Sequence, residues 1–380
     1  MSIENFKIDS KKNEVNMKNE LSKKLTKSEI AEFEKEIEEI RRETLSKLGE
    51  EDANYIRDIE RQARYFTILG RLLIHFSLDP LTWSAGVTLL GLGKIIDNME
   101  LGHNVMHGQY DWMNDPHLNS QTFDWDNACE NGHWKFSHNY MHHTYTNILG
   151  KDHDLGYGMT RVSSDQEWKP ENLVQIITNL GLALIFEYGV GRHGRDVEFK
   201  EMDESRKTDA LKQENSSRFT KKISRLLIRD YLVFPLLAGP GAGKVLLGNL
   251  AANVMRNLWT YSVIFCGHFT QDIEIFHQQG IENESRGDWY LRQLKGSSNL
   301  EGNKLFYMLT GHLSHQIEHH MFPDLPANRY EEIAPKIQSI CKKYNQNYNT
   351  GNFFSQFLQV GKRILAYSFP NPIAEKIMAA

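Results

Sequence analysis

The sequence predicts an all-α protein in which helical hairpins enter a membrane and histidine-rich segments gather on one side of it. Four apolar stretches carry this prediction, and they form two pairs: about 65–77 with 81–98, and about 224–239 with 244–267. Asp79-Pro80 makes a turn within the first pair. One pair precedes the first histidine cluster and the other precedes the last. Two hairpins would therefore bring the histidine clusters to the same face, and we expect about four membrane-spanning helices.

None of the four stretches is a clean span by composition. A spanning helix needs about 20 mostly apolar residues, whereas Arg71, His75 and Arg256 interrupt these stretches. Hydropathy alone leaves a soluble helical protein open, so the prediction depends on how the stretches are arranged. Four basic residues lie at the start of the third stretch: Lys221, Lys222, Arg225 and Arg229. Because such residues mark the cytoplasmic side of a span, we expect hairpins in the cytoplasmic membrane and a cytoplasmic histidine face.

The N-terminal 60 residues are expected to form a polar extension. Residues 1–50 are rich in lysine and glutamate and lack the apolar core of a secretory signal. Between Thr26 and Leu48 the apolar residues follow a helical period, and Thr26 with Glu29 resembles a capping box. This pattern predicts an amphipathic helix that packs on the protein rather than on a membrane. Residues 61–370 would form the main domain, and 371–380 a C-terminal tail.

Charge and cysteine content exclude some classes of protein. The formal charge of −5 is spread over many acidic and basic residues, so nucleic acid is not an expected partner. Cys129, Cys266 and Cys341 show no C-x-x-C spacing, which excludes a zinc ribbon or a disulfide framework and fits a reducing compartment.

Histidines are concentrated in three clusters, which contain eight of the sixteen histidines in the chain. In the central cluster, a helix would place His138 and His142 on one face, with His143 rotated by about 100°. The trio could present two imidazoles to one metal and the third to a neighbouring metal. His315, His319 and His320 repeat this spacing, and His103 with His107 forms a shorter version. Because imidazole suits iron, copper, nickel and zinc, the clusters predict a metal centre rather than hydrogen-bonded core histidines.

The residues that flank the clusters carry a family resemblance. They are the runs Gly-Gln-Tyr-Asp-Trp-Met-Asn-Asp-Pro at 108–116, Thr-Tyr-Thr-Asn at 144–147 and Met-Phe-Pro at 321–323. With these flanks, the chain resembles the membrane fatty acid desaturase family, within the wider group of histidine-box desaturases and hydroxylases, from about residue 60 to residue 370. The resemblance implies four membrane-spanning helices and a cytosolic helical cap, with two iron ions held between the helix ends and the cap.

The resemblance also implies a set of metal ligands. They are His103, His107, His138, His142, His143, His268, His319 and His320. The first residue of the third box stays open, because relatives carry Gln or His at the position of Gln316, while His315 lies four residues before His319. Some acyl-CoA desaturases have Asn four residues before the ligand at His268, where this chain has Ile264. For His312 we expect a structural role.

Other residues are assigned with less direct support. Six carboxylates are candidates to hold the N–H groups of ligand histidines, although a solvated or salt-bridged carboxylate is the favoured interpretation for any one of them: Asp111, Asp115, Asp124, Asp152, Asp154 and Glu318. Four tryptophans are expected at the membrane interface rather than in the wall of an acyl tunnel: Trp112, Trp125, Trp134 and Trp259. No metal is expected at the remaining histidines, namely His75, His117, His133, His153, His193 and His277.

The resemblance implies an oxygen-dependent desaturation. A saturated acyl chain on CoA or a lipid, O₂, two electrons and two protons would give a cis-alkene and water. Removing hydrogen from an unactivated CH₂ group is beyond any protein acid or base and needs a redox cofactor. The sequence contains no haem-binding domain, no cysteine-rich iron–sulfur motif and no G-x-G-x-x-G after a strand. We therefore expect a separate ferredoxin- or cytochrome-type electron donor with an NAD(P)H reductase. Hydroxylation by the same ligands is the nearest alternative.

Two other interpretations compete with this one. Glu100, Glu130 and Glu274 each lie three residues before a histidine, the E-x-x-H spacing of soluble ferritin-like di-iron proteins. That site would leave five histidines of the second and third boxes unused. A histidine-rich metal transporter is disfavoured because the boxes fall at span ends rather than inside spans.

The run Gly239–Lys244 mimics a phosphate loop, but Val245 replaces the required Ser or Thr, so we expect a turn.

Overall fold

The structure, a computed structural model, describes residues 23–379. Helices dominate this part of the chain, as the sequence predicts. The first eight α-helices are α1 (Lys27–Leu45), α2 (Glu50–Phe76), α3 (Pro80–Ile96), α4 (His103–Met106), α5 (Asn131–Trp134), α6 (His143–Tyr145), α7 (Gln175–Leu184) and α8 (Phe186–Glu201). The others are α9 (Asp209–Ile228), α10 (Phe234–Leu237), α11 (Ala242–His268), α12 (Arg286–Lys295), α13 (Lys304–Leu309), α14 (Gln316–Met321), α15 (Tyr330–Lys343), α16 (Phe353–Tyr367) and α17 (Asn371–Ala379).

Shorter elements connect these helices. The π-helical segments described are Asp97–Gly102, Lys135–His142 and Arg229–Val233. Single 3₁₀ turns lie at Asp111–Met113, Leu155–Gly158, Pro170–Val174, Glu204–Arg206, Gly239–Gly241, Ile281–Asn283, Leu313–His315 and Ala327–Arg329. Strands β1 (Asn299–Glu301) and β2 (Thr350–Asn352) pair in parallel, with Leu300 opposite Gly351. Two of the π-helical segments adjoin or contain a histidine box, which is where π-bulges are frequently found.

Helices α2 and α3 form the first of the two predicted hairpins. The Asp79 side chain accepts a hydrogen bond from the Thr82 amide and so caps α3, with Pro80 at its first turn. The two helices approach closely, since a β-carbon at Gly86 would lie 2.8 Å from the backbone nitrogen of Ile74. The chain then runs along α3 towards the first histidine box.

The end of α9, the π-helical segment Arg229–Val233 and α10 form one arm of the second hairpin, and α11 forms the other arm. This hairpin packs against the first. The Trp83 indole donates a hydrogen bond to the Lys244 carbonyl over 2.9 Å, and the Lys244 ammonium donates to the Ser77 carbonyl over 2.5 Å. These bonds hold the two hairpin turns together. The phosphate-loop mimic therefore forms a turn, as predicted. Because α3 leads to His103 and α11 ends at His268, both hairpins point their histidines away from the turns.

Within residues 23–379, no single helix has both the length and the apolarity needed to cross a membrane. The pair Pro170–Leu184 and Phe186–Glu201, bent by 100°, meets that requirement only when its two helices are taken together. Large apolar side chains are nevertheless exposed at the hairpin turns, where Leu78 is 99% and Leu81 is 81% exposed.

Several charged residues of the apolar stretches pair with one another and with Asp126, which lies in a loop. We call Arg71, Lys94, Asp126, Arg229 and Asp230 the hairpin ion cluster. The Lys94 ammonium lies 3.0 Å from Asp230 and 3.1 Å from Asp126, and Arg71 lies 2.9 Å from Asp230. Arg229 reaches both carboxylates. The charges therefore face neighbouring helices and join them, which is how buried charges are normally tolerated.

The N-terminal helix α1 packs on the protein. Its predicted capping box is formed by Thr26 and Glu29. Phe33, Ile37 and Ile40 are buried in one core with residues of α12, α14 and α15. Helix α2 runs through the expected domain boundary at residue 60 without a break. The rest of the predicted extension, residues 1–22, lies outside the described part of the chain.

Candidate metal centre

The first histidine box lies where the first hairpin ends. The π-helical segment Asp97–Gly102 extends α3 into the short α4, which begins with His103, and His107 follows directly after it. The two imidazole rings meet edge to face with centroids 4.6 Å apart. The His103 Nδ1 atom lies 3.0 Å from the side-chain oxygen of Asn104.

The second box is π-helical where we expected a regular α-helix. The segment Lys135–His142 carries His138 and His142, and His143 begins α6. The i→i+5 hydrogen bonds of a π-helix widen the turn. The rings of His138 and His142 still stack on the same side, 5.1 Å apart, while His143 is turned almost perpendicular to both.

The third box lies on helix α14, which packs against the other two boxes. His319 and His320 lie on α14 and are fully buried. The His319 ring is 4.8 Å from that of His103, and the His320 ring stacks on His143 at 4.4 Å. Helix α14 therefore places one imidazole beside the first box and the other beside the second box.

Together these elements form two groups of ring nitrogens. In one group, atoms of His103, His107, His138 and His319 all lie within 4.8 Å of one another. In the other, atoms of His142, His268 and His320 satisfy the same limit. His143 lies between the groups, with its ring 4.7 Å from His107 and 4.4 Å from His320. We call these eight residues the histidine centre. All eight histidines implied by the family resemblance are thus brought together.

The hydrogen bonds of the centre fix which nitrogen of each ring faces inwards. Six rings direct Nδ1 outwards to a partner 3.0–3.4 Å away. The pairs are His103 with Asn104, His138 with Asp154, His142 with Asp152, His268 with the Gly296 carbonyl, His319 with Tyr330 and His320 with Gln293. An outward Nδ1–H leaves the Nε2 lone pair directed into the centre, as in metal sites whose ligands are held by a second hydrogen bond.

The inward nitrogens fit a metal. Within the described chain, Nε2 of His103, His107, His138 and His319 is buried without a hydrogen-bond partner, as are both ring nitrogens of His143. Buried polar atoms are rarely left unpaired. In the second group, Nε2 of His268 and Nε2 of His320 face each other at 3.1 Å. Two lone pairs at this distance repel, whereas two ligands of one metal with bonds of about 2.0–2.1 Å lie about this far apart.

Gln316, rather than His315, reaches the centre from the start of the third box. The Gln316 amide nitrogen lies 2.9 Å from Nε2 of His268. Gly267 permits this approach, since a β-carbon there would be 3.0 Å from the Gln316 side chain. His315 instead packs on Tyr307, with ring centroids 4.6 Å apart. Of the two residues that the sequence leaves open, Gln316 is therefore the one whose side chain lies beside the histidine centre.

Two of the six candidate carboxylates reach ligand histidines, Asp152 and Asp154. Asp111 binds Ser120, Asp115 pairs with Arg57, and Asp124 pairs with Lys222 and Arg225. Glu318 accepts hydrogen bonds from Tyr348 and Asn299. These four carboxylates are held by other partners, which is the interpretation that the sequence favours for any one of them.

Burial keeps most of the imidazoles neutral. It lowers the pKa of His103 to about 3. Burial and the neighbouring rings also place the pKa values of four more ligands well below the usual histidine value: His107, His143, His319 and His320. At His142, burial is outweighed by the Asp152 carboxylate, which raises the pKa of the ring. Neutral rings are the form that binds metals.

A narrow and mostly apolar cavity runs beside the centre. Its wall includes Met99, Phe186, Ile264, Phe269 and Leu313 together with His138, His142 and His268. Trp125 and Trp134 also line it, so their expected place at a membrane interface was wrong. Trp134 stacks on the His138 ring at 4.6 Å. An apolar chain in this cavity would lie directly against the histidine centre.

The glutamates of the ferritin-like alternative lie away from the centre. Glu100 binds Tyr55 and His312, Glu130 pairs with Arg218, and Glu274 lies beside Lys295. That interpretation was wrong. His312 has the structural role we expected, because its Nδ1 atom lies 2.9 Å from the buried Glu100 carboxylate.

Three direct partners of the histidine centre were missed by sequence reasoning: Asn104, Gln293 and Tyr330. Two further residues contact these partners or the carboxylates. Gln109 binds Tyr330, and His193, for which no metal was expected, binds the same Asp154 carboxylate as His138, at 3.0 Å. Asn104 follows His103 directly in the sequence, whereas Gln293 and Tyr330 come from distant segments and reach the histidines only through the packing of α12 and α15.

Comparison with known proteins agrees with this arrangement. The model of the family described as "Fatty acid desaturase" matches residues 81–352. An "NADPH-dependent stearoyl-CoA 9-desaturase" of Mycobacterium tuberculosis (strain ATCC 25618 / H37Rv) is 42% identical over 351 residues, covering 91% of this chain and 82% of the relative. An "sn-1 linoleoyl-lipid 6-desaturase" of Synechocystis sp. is 25% identical over 278 residues, covering 69% of this chain and 74% of the relative.

Proposed function

The chain belongs to the fatty acid desaturase family, and on this premise we propose that it desaturates a fatty acyl-CoA at a centre of two iron ions. It is an oxidoreductase that introduces a double bond into a fatty acyl chain. The observation that carries the iron proposal is the set of buried Nε2 atoms that have no hydrogen-bond partner among residues 23–379. Acyl-CoA, with attack at carbon 9, is proposed from the relative that is 42% identical.

We assign one iron to His103, His107, His138 and His319, and the other to His142, His268 and His320. His143 lies between the groups and would complete one of them. Gln316 is proposed as a neutral contact of the second iron, directly or through water, because its amide lies beside His268. We propose no metal contact for His315.

When bound, the irons would activate O₂ to an oxidant able to remove hydrogen from an unactivated CH₂ group. The protein itself positions the reactants. Trp134 and Phe186 in the cavity wall would hold the acyl chain against His138 and exclude water, while Asp152 and Asp154 hold the N–H groups of His142 and His138. Rigid partners of this kind keep reacting groups in a productive geometry.

We propose that the two hairpins anchor the protein in the cytoplasmic membrane. Exposed leucines surround both hairpin turns, and the histidine centre lies at the opposite end. A single cysteine at Leu78 should resist a membrane-impermeant maleimide in intact cells and in inverted vesicles, whereas one at Gln121 should react only in inverted vesicles. The native cysteines are buried, which keeps the background low. Equal labelling of both positions would contradict this orientation.

Electrons are proposed to come from a one-electron carrier protein with an NAD(P)H reductase, consistent with the NADPH-dependent relative. Turnover of the purified chain with NADPH alone would contradict a separate donor.

Expression in a bacterial host tests the function. We expect new cis double bonds in the acyl chains of the host, with the position read by mass spectrometry of derivatised fatty acids. His142→Ala should abolish them, and His277→Ala, at an exposed histidine away from the centre, should not. Hydroxylated products would point to the related reaction, and unchanged acyl chains despite bound iron would contradict the assignment.

A further inference from the structure

The proposed reaction takes two electrons from outside the chain, so some path must connect the buried histidine centre with the surface. Electron tunnelling slows steeply with distance and is faster along bonded and hydrogen-bonded atoms than across gaps. The hydrogen bonds that leave the six outward Nδ1 atoms are therefore the paths to compare.

The other five paths also begin at buried partners, as the path through Tyr330 does: Asn104, Asp152, Asp154, Gln293 and the carbonyl of Gly296. The path through Asp154 continues to His193, whose side chain is 13% exposed and lines the acyl cavity. The path through Gly296 continues over the Asn147 amide to the backbone carbonyl of Glu274, whose side chain is about half exposed. Among the hydrogen bonds of residues 23–379, none of these five paths ends on an exposed aromatic side chain.

The path from His319 reaches the surface through three residues. The Tyr330 hydroxyl lies 3.4 Å from His319 Nδ1, and the Gln109 amide donates to that hydroxyl over 3.2 Å. Because Tyr330 gives its own proton to the Phe322 carbonyl at 2.9 Å, its oxygen is free to accept from both neighbours. The carbonyl of Gln109 then accepts from the Trp112 indole over 3.0 Å.

Trp112 is suited to contact a partner. Tyr330 and Gln109 are fully buried, whereas Trp112 is 39% exposed. Its surroundings are polar and carry both charge signs, including Asp111 and the Arg57–Asp115 pair. A large aromatic side chain within a polar rim is typical of protein–protein contact sites.

We propose that a one-electron carrier protein docks on Trp112, and that Trp112, Gln109 and Tyr330 conduct its electrons to His319. This inference rests on the proposed iron centre. Each carrier molecule delivers one electron and is itself oxidised by one. Two deliveries, two protons, the two hydrogens taken from the acyl chain and one O₂ give the alkene and two waters, so electrons and atoms balance.

The test measures reduction of the iron centre without turnover. The full-length, iron-loaded protein in detergent is mixed under argon with photoreduced plant-type [2Fe–2S] ferredoxin, or with reduced cytochrome b5 where that carrier reduces the wild type faster. Reduction is followed by stopped-flow absorbance and by Mössbauer spectroscopy. Sodium dithionite, a small reductant that needs no protein docking site, is the parallel probe.

Trp112→Leu should slow reduction by the carrier at least about tenfold and leave reduction by dithionite unchanged. Trp168→Leu is the matched control, because its indole also donates to a carbonyl, that of Ser368, over 3.0 Å and is partly buried elsewhere. Trp112→Tyr, which keeps an aromatic ring, should recover most of the carrier rate and shows that the loop is intact.

Two results would overturn the inference: an unchanged carrier rate in Trp112→Leu, or equal slowing with carrier and dithionite, which would indicate a purely structural indole. A wild-type protein whose bound iron is reduced by neither probe would refute the proposed function and this inference with it. Selective slowing with the carrier supports both.

Discussion

The histidine centre and the hairpin ion cluster both bury polar groups, but they satisfy them in opposite ways. In the ion cluster, each carboxylate lies 2.6–3.1 Å from at least two cations. In the histidine centre, the outer nitrogens are paired, while most inner ones have no partner among residues 23–379. A self-satisfied cluster needs nothing further and holds helices together. A cluster whose unpaired nitrogen lone pairs converge can bind a cation. We therefore assign a structural role to the ion cluster and a metal-binding role to the histidine centre.

The largest effect is expected at the histidine centre. His319→Ala should remove a ligand of the first iron and lower desaturation at least about 1,000-fold, because a redox site that loses its metal loses its chemistry. Iron per chain, measured by plasma mass spectrometry, should fall with it. The circular dichroism spectrum should remain that of the folded protein. Full iron content in this variant would contradict the assignment of His319 as an iron ligand.

The ion cluster should respond in stability instead. Asp230→Asn removes the carboxylate shared by Arg71, Lys94 and Arg229. Lys94 and Arg229 keep their pairs with Asp126, whereas the largely buried Arg71 loses its carboxylate partner. We expect a loss of about 3–5 kcal/mol in the free energy of unfolding, measured by denaturant titration in detergent. Iron per folded molecule should stay at the wild-type value. A variant that is stable but free of iron would show that the two regions are not independent.

The hydrogen-bond partners of the centre should give a smaller effect. Asp154→Asn weakens the hold on His138 and should lower iron affinity or activity about 10–100-fold. Asp196→Asn is the matched control, because that carboxylate is half exposed, pairs with Arg192 and Arg195 and touches no ligand. Equal losses in the two variants would contradict the claim that the Asp154 carboxylate holds His138 for iron binding.

The smallest effect belongs to ion pairs at the surface. Lys47, two residues after the end of α1, pairs with Glu332 of α15 at 2.7 Å, and both side chains are more than two-fifths exposed. Lys47→Ala should change the free energy of unfolding by no more than about 1 kcal/mol. A loss comparable to that of Asp230→Asn would mean that burial does not decide the strength of these charges.

Much of the candidate site could be predicted from local sequence. Box histidines repeat a spacing that any helical turn places on one face, so His138, His142 and their partners were found without a structure. Asp152 and Asp154 lie nine and eleven residues after His143, at the end of the second box. The helical fold and the two hairpins also follow from local patterns, because turns such as Asp79-Pro80 are encoded where they occur.

What could not be predicted depends on distant contacts. Tyr330 and Gln293 lie on α15 and α12 and meet the histidines only through the packing of these helices, and their own sequence environments carry no pattern for this. The choice between His315 and Gln316 depends on the turn Leu313–His315, which directs the two side chains to different sides. From the sequence alone, the charges in the apolar stretches looked unfavourable in a membrane. Most of their ion-pair partners are distant in the sequence, so the pairs could not be recognised from local patterns.

The iron content of the purified full-length protein tests the central claim most directly. Plasma mass spectrometry with protein quantification, followed by Mössbauer spectroscopy, should find two iron ions per chain in a histidine-rich environment, with wild-type and His277→Ala protein alike. A single iron, or zinc in place of iron in a protein that still desaturates acyl chains, would contradict a centre built from two groups of histidines.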